Sequence, residues 1–336
     1  MKRRTLFSAI AVIAATQATG VSSQMLEEVI VTAQKREQAL SDVSLSVTAF
    51  TGDTMRALNI KEPRDIAGIT ANVDMKGTQG DINPAVTIRG IGLNNFNANN
   101  NPSVGIYVDE VFLSSAAMMT LMMMDVERVE VLKGPQGTLY GRNSSGGAIN
   151  IHSAKPTREL DGFVDVSYGD YETARLEAAL GGPLTEELSG RVSVLYDDRG
   201  DSFHDNQIGP DFDGLTNQGV RGQLQWDGDK LRANLNVSYA DQDGGNQPGT
   251  FLSGLYDPVT FGPCVGPGCV SVAGYTKTQG DEYEHDFDPD WVKNLEIDTD
   301  LTSVNLRLDY AFDNFDLTSI TGYITQDREY GENFWS

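Results

Sequence analysis

The chain has 336 residues, of which 39% are hydrophobic and 22% charged, and a formal net charge of −23 at pH 7. This length accommodates two domains. The acidic balance argues against a nucleic-acid partner, because phosphate binding requires a basic face. An equally simple interpretation is that the acidic side chains form a solvated surface. The apolar fraction is low for a globular chain, which suits an architecture in which many strands expose one face to water. The three histidines lie far apart, so a histidine-built metal site is not expected.

The first 24 residues have the three-part pattern of a secretory signal peptide. Lys2–Arg4 give a basic start, residues 6–15 are apolar, and small residues follow, so cleavage is expected between Ala18 and Gln24. The apolar run is too short to cross a membrane as a helix, and no later stretch reaches about 18 apolar residues. The pattern therefore predicts an exported protein with no helical membrane anchor, whose signal peptide is residues 1–23.

A short β-prone run, Val29–Val31, lies in the stretch Glu27–Ala33 beside two acidic residues. Two interpretations are open: an ordinary edge strand, or a segment that adds to another protein's sheet through its backbone. Such pairing depends less on side-chain identity than on the absence of proline, and the run contains none. Gln34–Asp42 is polar and is expected to be flexible, so residues 24–41 are predicted to be this segment and a linker.

Residues 42–155 are predicted to form an α+β domain with short elements. The first helix has Thr51 or Asp53 near its start. The last contains five methionines, which indicate adaptable apolar packing more than thioether ligands for copper or haem. Strands are expected at Val43–Ala49, Ala85–Arg89 and Val104–Val111, and helices at Thr51–Leu58, Arg64–Ile69 and Ala116–Met124.

The stretch Leu93–Ser103 holds six asparagines and one phenylalanine. It is either a disordered surface loop or a ligand-facing loop, in which neutral amides donate and accept hydrogen bonds and the ring offers a stacking face. The candidate ligand contacts are Asn94, Asn95, Phe96, Asn97, Asn99 and Asn100. The Gly90-Ile91-Gly92 before it is not a dinucleotide fingerprint, because Asn95 occupies the third glycine position and no helix is expected to follow.

Asp125–Ile151 is the stretch around which this domain is organised. Val129 and Val131 alternate with polar residues in a first strand, Gly134-Pro135 ends it, and Ala148–Ile151 indicates a second strand. The five glycines between the two strands indicate tight turns. A phosphate-binding loop is excluded, since GxxxxGK[ST] is absent and no clear helix is expected to follow.

From Val126 this stretch reads VERVEVLKGPQGTLYGRNSSGGAINI, which resembles without a gap the end of the plug domain of TonB-dependent outer-membrane receptors. EEVIVTAQKR at Glu27–Arg36, IRGIG at Ile88–Gly92 and VGIYVDEV at Val104–Val111 match further landmarks of the family in the expected order. The resemblance covers the whole chain, although its C-terminal part matches only as generic barrel strands. It implies an α+β plug domain at 42–155, followed by antiparallel transmembrane strands of an incomplete β-barrel of a 22-stranded type.

The resemblance also implies roles for particular residues. One set resembles the TonB box and implies pairing with the periplasmic domain of TonB, part of a proton-driven inner-membrane complex: Glu27, Glu28, Val29, Ile30, Val31, Thr32 and Ala33. The asparagine-rich loop is expected to face the outside of the barrel. Separately, from the charges on or beside the plug strands, we hypothesise that some members of a further set pair with charges of the barrel wall beyond residue 336 and so hold the plug: Arg89, Glu127, Arg128, Glu130 and Lys133.

Beyond Pro156 apolar and polar residues alternate in about seven predicted strands. Five of them end on an aromatic residue in the apolar register: Tyr168, Tyr196, Trp226, Tyr239 and Tyr310. A soluble sandwich gives the same alternation. Aromatic girdles and connections that are short on one side and mostly long on the other favour a barrel in contact with outer-membrane lipid. Because a plugged lumen takes about 22 strands, residues 156–336 are expected to be a partial barrel from a truncated sequence or fragment.

The longest connection contains both cysteines and an acidic run. Four residues separate Cys264 from Cys269, which permits a disulfide, and an exported chain favours one. Asp281–Asp290 holds six carboxylates and one histidine. Calcium is an alternative there, but the spacing fits no EF-hand, so a solvated loop is expected. Neither a metal site nor a resident cofactor is predicted.

Together these features predict a receptor in the outer membrane of a Gram-negative bacterium that imports a scarce nutrient and has no catalytic residues. Iron is the family's commonest cargo, so a ferric-siderophore complex is the expected small-molecule ligand; a corrinoid, haem or an oligosaccharide stays open, as does a truncated, non-transporting fragment. A passive porin or adhesin is disfavoured because it needs neither EEVIVTA nor a globular insert. An exported hydrolase is disfavoured because no GxSxG or triad arrangement is present.

Overall fold

The computed structural model describes residues 29–36, 38–77, 84–92, 102–201, 205–206, 214–245, 284–285 and 296–330. The predicted signal peptide, Glu27, Glu28, the asparagine-rich contacts Asn94–Asn100 and the cysteines Cys264 and Cys269 lie outside the described residues, as does most of the acidic run.

The segment ahead of the plug contains two short strands. Strands β1 (Ile30–Val31) and β2 (Gln38–Ala39) pair antiparallel, and a 3-10 turn follows at Leu40–Asp42. The backbone N–H of Lys35 donates to the carbonyl of Thr32 at 2.8 Å in the connection between the two strands. Strand β2 and the 3-10 turn thus fall within Gln34–Asp42, whose expected flexibility stays a prediction.

The plug is built on a five-stranded sheet of order β3-β9-β10-β7-β8, in which only β10 and β7 run parallel. A three-stranded sheet of order β4-β5-β6 accompanies it. The plug strands are β3 Val47–Thr51, β4 Val73–Gly77, β5 Pro84–Ile88, β6 Ile91–Gly92, β7 Val104–Val108, β8 Val111–Leu113, β9 Val126–Lys133 and β10 Gly147–Ser153; the helices are α1 Gly52–Ala57, α2 Pro63–Ile69, α3 Met118–Met122 and α4 Gly137–Tyr140.

The predicted helices form, and Thr51 caps α1 by accepting a hydrogen bond from the backbone N–H of Thr54. Two details of the prediction were wrong. The first strand lies at Val47–Thr51, later than expected, and the one-turn helix α4 follows Gly134-Pro135 where no helix was expected. Helix α4 ends in a glycine of positive φ and buries Tyr140, so a tertiary contact supports a turn that local propensity does not indicate.

A continuous apolar core fills the plug and reaches the wall. It contains the methionines Met118, Met119, Met122 and Met123, as the packing interpretation of this cluster predicted, together with Ala240 and Leu301 from the wall strands. Each such side chain, when fully buried, contributes about 1.5–3 kcal/mol. Apolar burial therefore joins the plug to the wall as well as stabilising the plug.

The second half of the chain forms a seven-stranded antiparallel sheet, open at β11 and β19 within the described residues. Turns of three or four residues join β11 to β12, β12 to β13, β15 to β16 and β18 to β19. The wall strands are β11 Asp161–Tyr168, β12 Thr173–Pro183, β13 Leu188–Arg199, β15 Leu215–Asp227, β16 Leu231–Gly245, β18 Glu296–Ala311 and β19 Asp316–Tyr330; β14 (Asp205–Asn206) and β17 (Glu284–His285) form a separate parallel pair.

The two faces of this wall differ as the alternation predicted. Tyr168, Tyr196, Trp226 and Tyr239 are exposed on one face, whereas Tyr310 is half-buried. The opposite face is polar, and the plug covers part of it. A sheet with an exposed apolar face and a polar inner face matches the strand pattern of outer-membrane barrels. No helix in the described ranges has the length and apolar character needed to cross a membrane.

One predicted strand is broken. Val104–Val111 was expected to be continuous, but β7 ends at Val108 and β8 starts at Val111, with these two residues paired. Between them Asp109 and Glu110 have φ angles of +46° and +68°. This is the geometry of a two-residue hairpin turn, in which both central residues are left-handed.

Candidate functional site

The candidate site is the surface of the plug on which the N-terminal segment, defined as Val29–Arg36, is docked. Val31 and Ala33 are fully buried in a cluster with plug residues that include Tyr107 and Tyr140, whereas Ile30 is 44% exposed. The backbone N–H of Leu40 also donates to the carbonyl of Val29 at 2.9 Å. The segment is thus docked by one face, with the alternation of a half-buried strand.

A buried polar cluster beneath the segment is centred on Glu130, which has no exposed surface. Its Oε1 accepts the backbone N–H of Thr32 at 2.8 Å and Nε of Arg128 at 2.9 Å. The Thr32 hydroxyl lies 3.2 Å from Nη2 of Arg128 and 3.2 Å from Nε2 of His152. Asn150 donates to Oε2 of Glu130 at 3.4 Å. One threonine of the segment therefore contacts three polar side chains of the plug.

The pairing of β9 with β10 brings these groups together. Arg128 and Glu130 are two apart on β9 and share a face, and the register places His152 opposite Arg128 and Asn150 opposite Glu130. His152 and Asn150 were not predicted as site residues. The period-2 pattern of the two strands was the available sequence signal, but it does not by itself determine their register.

The chemistry of Glu130 ties its charge to the docked segment. Burial alone raises the pKa of this carboxyl, but His152, the backbone N–H of Thr32 and Arg128 outweigh burial and lower the pKa to about 2. Glu130 is therefore an anion at neutral pH. A hydrogen bond to a charged group contributes about 1.5–3 kcal/mol, so removal of Thr32 takes away a significant part of the stabilisation of a buried charge.

Two tyrosines hold the next part of the segment. The Tyr140 hydroxyl donates to the carbonyl of Ala33 at 3.1 Å and accepts from Asn150 at 2.8 Å. Tyr107 donates to the carbonyl of Tyr140 at 2.6 Å. The ammonium of Lys35 lies 4.7 Å from the ring centre of Tyr140 and 5.7 Å from that of Tyr107, within the range of a cation–π contact. Burial raises the pKa of Tyr140 to about 12, so the phenol stays a neutral donor.

The plug is anchored to the wall through Asp125, a residue that was not predicted as a site. Its carboxylate pairs with Arg191 of β13 through two contacts of 2.7 Å and also accepts the Ser193 hydroxyl. Asp125 and Arg191 are both almost fully buried. The backbone N–H of Asp125 donates to Glu177 of β12 at 2.8 Å. This paired, bidentate geometry is what a buried charge requires.

A second buried arginine of the wall forms hydrogen bonds with the backbone of the plug. Arg221 of β15 is 1% exposed, and its guanidinium donates to the carbonyls of Met124 at 2.5 Å and Met122 at 3.2 Å. Gln223 of the same strand donates to the carbonyl of Ala154 at 2.7 Å. The end of α3, the connection from α3 to β9 and the residue after β10 are therefore all bound by β15 of the wall.

The residues predicted to lock the plug have a different environment from the anchor. Arg128 pairs with Glu127 at 2.7 Å and with Glu130, so these three contact each other within the plug. Burial, with the nearby charge of Arg89 as the lesser cause, lowers the pKa of Lys133. The pairing of these five residues with wall charges stays a prediction. The wall partners seen for Asp125 lie on β12 and β13, inside this chain.

Within the described residues no group of three or more histidine, cysteine, aspartate or glutamate side chains is arranged to hold a metal ion. The features on which the site depends are instead a docked N-terminal segment, a plug sheet and a wall of alternating strands. A family model for the TonB-dependent Receptor Plug Domain matches residues 39–148. Residues 39–148 of this chain therefore form a plug domain of the TonB-dependent receptor type.

Curated relatives agree with this assignment. The chain is 30% identical over 263 residues to the ferripyoverdine receptor of Pseudomonas aeruginosa, which covers 75% of this chain and 31% of that protein. It is 32% identical over 182 residues to the pesticin receptor of Yersinia pestis, covering 52% and 26%. It is 25% identical over 239 residues to the vitamin B12 transporter BtuB of Vibrio vulnificus, covering 66% and 37%. The chain thus spans roughly a third of the length of these relatives.

Solved structures share the fold. The ferric yersiniabactin uptake receptor FyuA from Yersinia pestis matches with a TM-score of 0.66 and 19% identity, over 84% of this chain and 41% of that one. The FpvAI protein in a complex with pyocin S2 matches with a TM-score of 0.65 and 20% identity, over 88% and 35%. The predicted combination of an α+β plug with antiparallel barrel-type strands is confirmed. The matching family model describes a receptor domain.

Proposed function

We propose that this protein is an outer-membrane receptor that imports a ferric-siderophore complex with energy delivered by TonB. The observation that carries the proposal is the docking of Val29–Arg36 on a TonB-dependent receptor plug domain, where the segment is held by a few hydrogen bonds and one buried face. A segment attached in this way is retained at rest and released without unfolding the plug.

The release step follows from the strand pairing. Ile30 and Val31 pair with Ala39 and Gln38 in an antiparallel ladder, so one edge of the segment is occupied while it is docked. Ligand capture outside shifts the plug and frees the stretch Glu27–Ala33 into the periplasm. There its backbone adds as a strand to the periplasmic domain of TonB, whose proton-driven complex pulls on it.

The ligand assignment is supported by the names of the relatives. Two of them are receptors for ferripyoverdine and for ferric yersiniabactin, both iron chelates by their names. The vitamin B12 transporter supports the corrinoid alternative more weakly, at 25% identity. The asparagine-rich residues Asn94–Asn100 are proposed to face the ligand. The transported iron chelate is cargo, and no resident cofactor is proposed.

The location follows from the leader and the wall. We place the protein in the outer membrane of a Gram-negative bacterium, after cleavage of a signal peptide within Ala18–Gln24. The exposed apolar side chains of the wall, with Tyr168, Tyr196, Trp226 and Tyr239 among them, are then in contact with lipid. The proposed partners are outer-membrane lipid, TonB and a small-molecule ligand.

Uptake of radioactive iron tests the proposal in cells that lack other siderophore receptors and express the complete gene. Ile30→Pro is expected to reduce ferric-siderophore uptake to the level of a TonB-deficient strain, because proline removes a backbone donor that strand addition needs. Ile30→Ala is the matched control and should transport normally. Iron uptake that continues unchanged both in the Ile30→Pro variant and in a TonB-deficient strain would refute the proposal. TonB-dependent uptake of a corrinoid instead of iron would replace the proposed ligand.

A further inference from the structure

The hairpin turn at Asp109 and Glu110 has a conformation that Glu110 does not favour. Both residues are left-handed, with φ angles of +46° and +68°. Turns of this kind prefer glycine, asparagine or aspartate, and a side chain as long as glutamate is rarely found there. Such strain persists only where surrounding contacts hold it in place. The contacts of this turn are therefore the place to look for its role.

Asp109 ties the turn to the plug sheet and to the wall. Its carboxylate accepts the backbone N–H and the hydroxyl of Ser153, each at 2.8 Å, and Nδ2 of Asn236 on β16 at 2.9 Å. Asn305 of β18 donates to the Asp109 backbone carbonyl at 2.9 Å. The position of the turn thus depends on two wall strands as well as on the end of β10.

Glu110 extends this link to the N-terminal segment. One oxygen of its carboxylate lies 3.4 Å from the ammonium of Lys35, and the other pairs with the Arg307 guanidinium of β18. Lys35 is the residue of the segment that also lies over Tyr140 and Tyr107. In the part of the chain that the structure describes, Glu110 is the plug side chain whose ion pairs reach both the wall and the segment.

The partial exposure of Lys35, Glu110 and Arg307 is suited to ion pairs that break and re-form. Lys35, Glu110 and Arg307 keep between 21% and 33% of their side chains exposed, whereas the Asp125–Arg191 anchor keeps 3% or less. A partly exposed pair is weak and is broken by a small displacement. Arg307 also pairs with Asp309 at 2.8 Å, which fixes the guanidinium to its own strand when the turn moves.

We propose that Glu110 is a positioning residue that couples the wall to the release of the N-terminal segment. Arg307 holds the Glu110 carboxylate where Lys35 reaches it. A shift of the turn relative to β18 separates Glu110 from Lys35 and favours the undocked segment. This inference deepens the proposed function, because it names the residue by which movement at the wall is transmitted to the TonB-binding segment.

The test uses the purified complete receptor in detergent without TonB, so it does not depend on transport. Val31, which is fully buried in the docked segment, is replaced by cysteine and its labelling rate with a thiol reagent is measured. Glu110→Gln and Lys35→Gln are each expected to raise this rate about two- to five-fold, the range of a partly exposed ion pair. Lys230→Gln, which breaks the exposed Lys230–Asp313 pair at the end of the wall, is the matched control and should leave the rate unchanged.

The decisive measurement is the coupling between Arg307 and Lys35, which both contact Glu110 but not each other. Arg307→Gln is expected to raise the rate and to make the effect of Lys35→Gln smaller. In the Glu110→Gln background the effect of Arg307→Gln should vanish, and that of Lys35→Gln should fall to the part that its contacts with the Tyr140 and Tyr107 rings contribute. Fully additive effects of Arg307→Gln and Lys35→Gln, or an Arg307→Gln effect that persists in that background, would overturn the proposal. So would a Glu110→Gln receptor that labels at the original rate.

A fold check separates release from unfolding. Met124→Cys is buried against the wall and should stay unlabelled in every variant. If Glu110→Gln exposes position 124, the test relies on Lys35→Gln instead, because this change alters only the segment. Its labelling rate at position 31 must then rise while position 124 stays unlabelled. The coupling stands if this labelling result holds while Ile30→Pro transports normally, and in that case the proposed function alone fails.

Discussion

The plug has two charged contact regions that differ in what they must do. At the anchor, Asp125 and Arg191 are almost completely buried and pair through two hydrogen bonds of 2.7 Å. At the segment site, Glu130 is just as buried, but one of its partners is Thr32, a residue of a segment proposed to leave. The comparison indicates that a permanent contact and a releasable one differ in where the second partner is attached, more than in how deeply the charge is buried.

The largest expected effect is at the anchor. Asp125→Ala leaves Arg191 without its main partner in a buried position, which typically costs about 3–5 kcal/mol. Guanidinium unfolding of the complete receptor, followed by fluorescence or by plug proteolysis, should show this loss. In the double variant Asp125→Ala/Arg191→Met much of the stability should return, because no uncompensated charge stays buried. If the double variant is no more stable than the single one, the anchor is not governed by the charge pair.

At the segment site Glu130→Gln should weaken docking while keeping the side-chain volume. It replaces hydrogen bonds to a charged acceptor by neutral ones, a difference of about 1–1.5 kcal/mol. Labelling of Val31→Cys should therefore accelerate roughly five- to ten-fold. Glu127→Gln is the control, since Glu127 also pairs with Arg128 but is half exposed, and its effect should be small. Equal rates in the two variants would remove Glu130 from the site.

Acid should undock the segment through the same carboxyl. Against the effect of burial, His152, the backbone N–H of Thr32 and Arg128 lower the pKa of Glu130 to about 2, and only Thr32 leaves with the segment. The docked segment therefore favours the charged carboxyl, and this contribution is lost as the pH falls through 2. A spin label at Ile30→Cys, an exposed position, should stay immobile at neutral pH and gain mobility as the pH falls towards 2. Glu130→Gln should flatten this profile. Protonation only removes the charge of Glu130. A gain of spin-label mobility at low pH that is larger than the gain caused by Glu130→Gln would therefore point to another titrating group.

The smallest effect is expected at the tyrosines. Tyr140→Phe removes the donor to the Ala33 carbonyl and one partner of Asn150, which costs about 0.5–1.5 kcal/mol and accelerates Val31→Cys labelling about two- to ten-fold. Tyr107→Phe loses a hydrogen bond to the plug backbone, not to the segment, and should change the rate less. The reverse order would mean that the tyrosines act on the plug and not on the segment.

Part of this architecture was predictable because it depends on local pattern. The alternation beyond Pro156 determined the wall strands and the side on which Tyr168, Tyr196, Trp226 and Tyr239 lie, since a period of two assigns successive side chains to opposite faces. Val129, Val131 and the apolar run at Ala148–Ile151 likewise indicated β9 and β10, and the gap-free resemblance of this stretch indicated the plug.

The tertiary structure decided which residues meet. Asp125 and Arg191 are 66 positions apart, and Thr32 and Glu130 are 98 apart, so no local period relates them. The register of β9 against β10 brings His152 to Arg128, and the packing of plug against wall makes Asp125 an anchor. The stretch Val104–Val111 was expected to be one strand, yet contacts from two wall strands, from Ser153 and from Lys35 hold Asp109 and Glu110 in a left-handed turn. Propensity reports the cost of a conformation, and only the folded contacts can offset it.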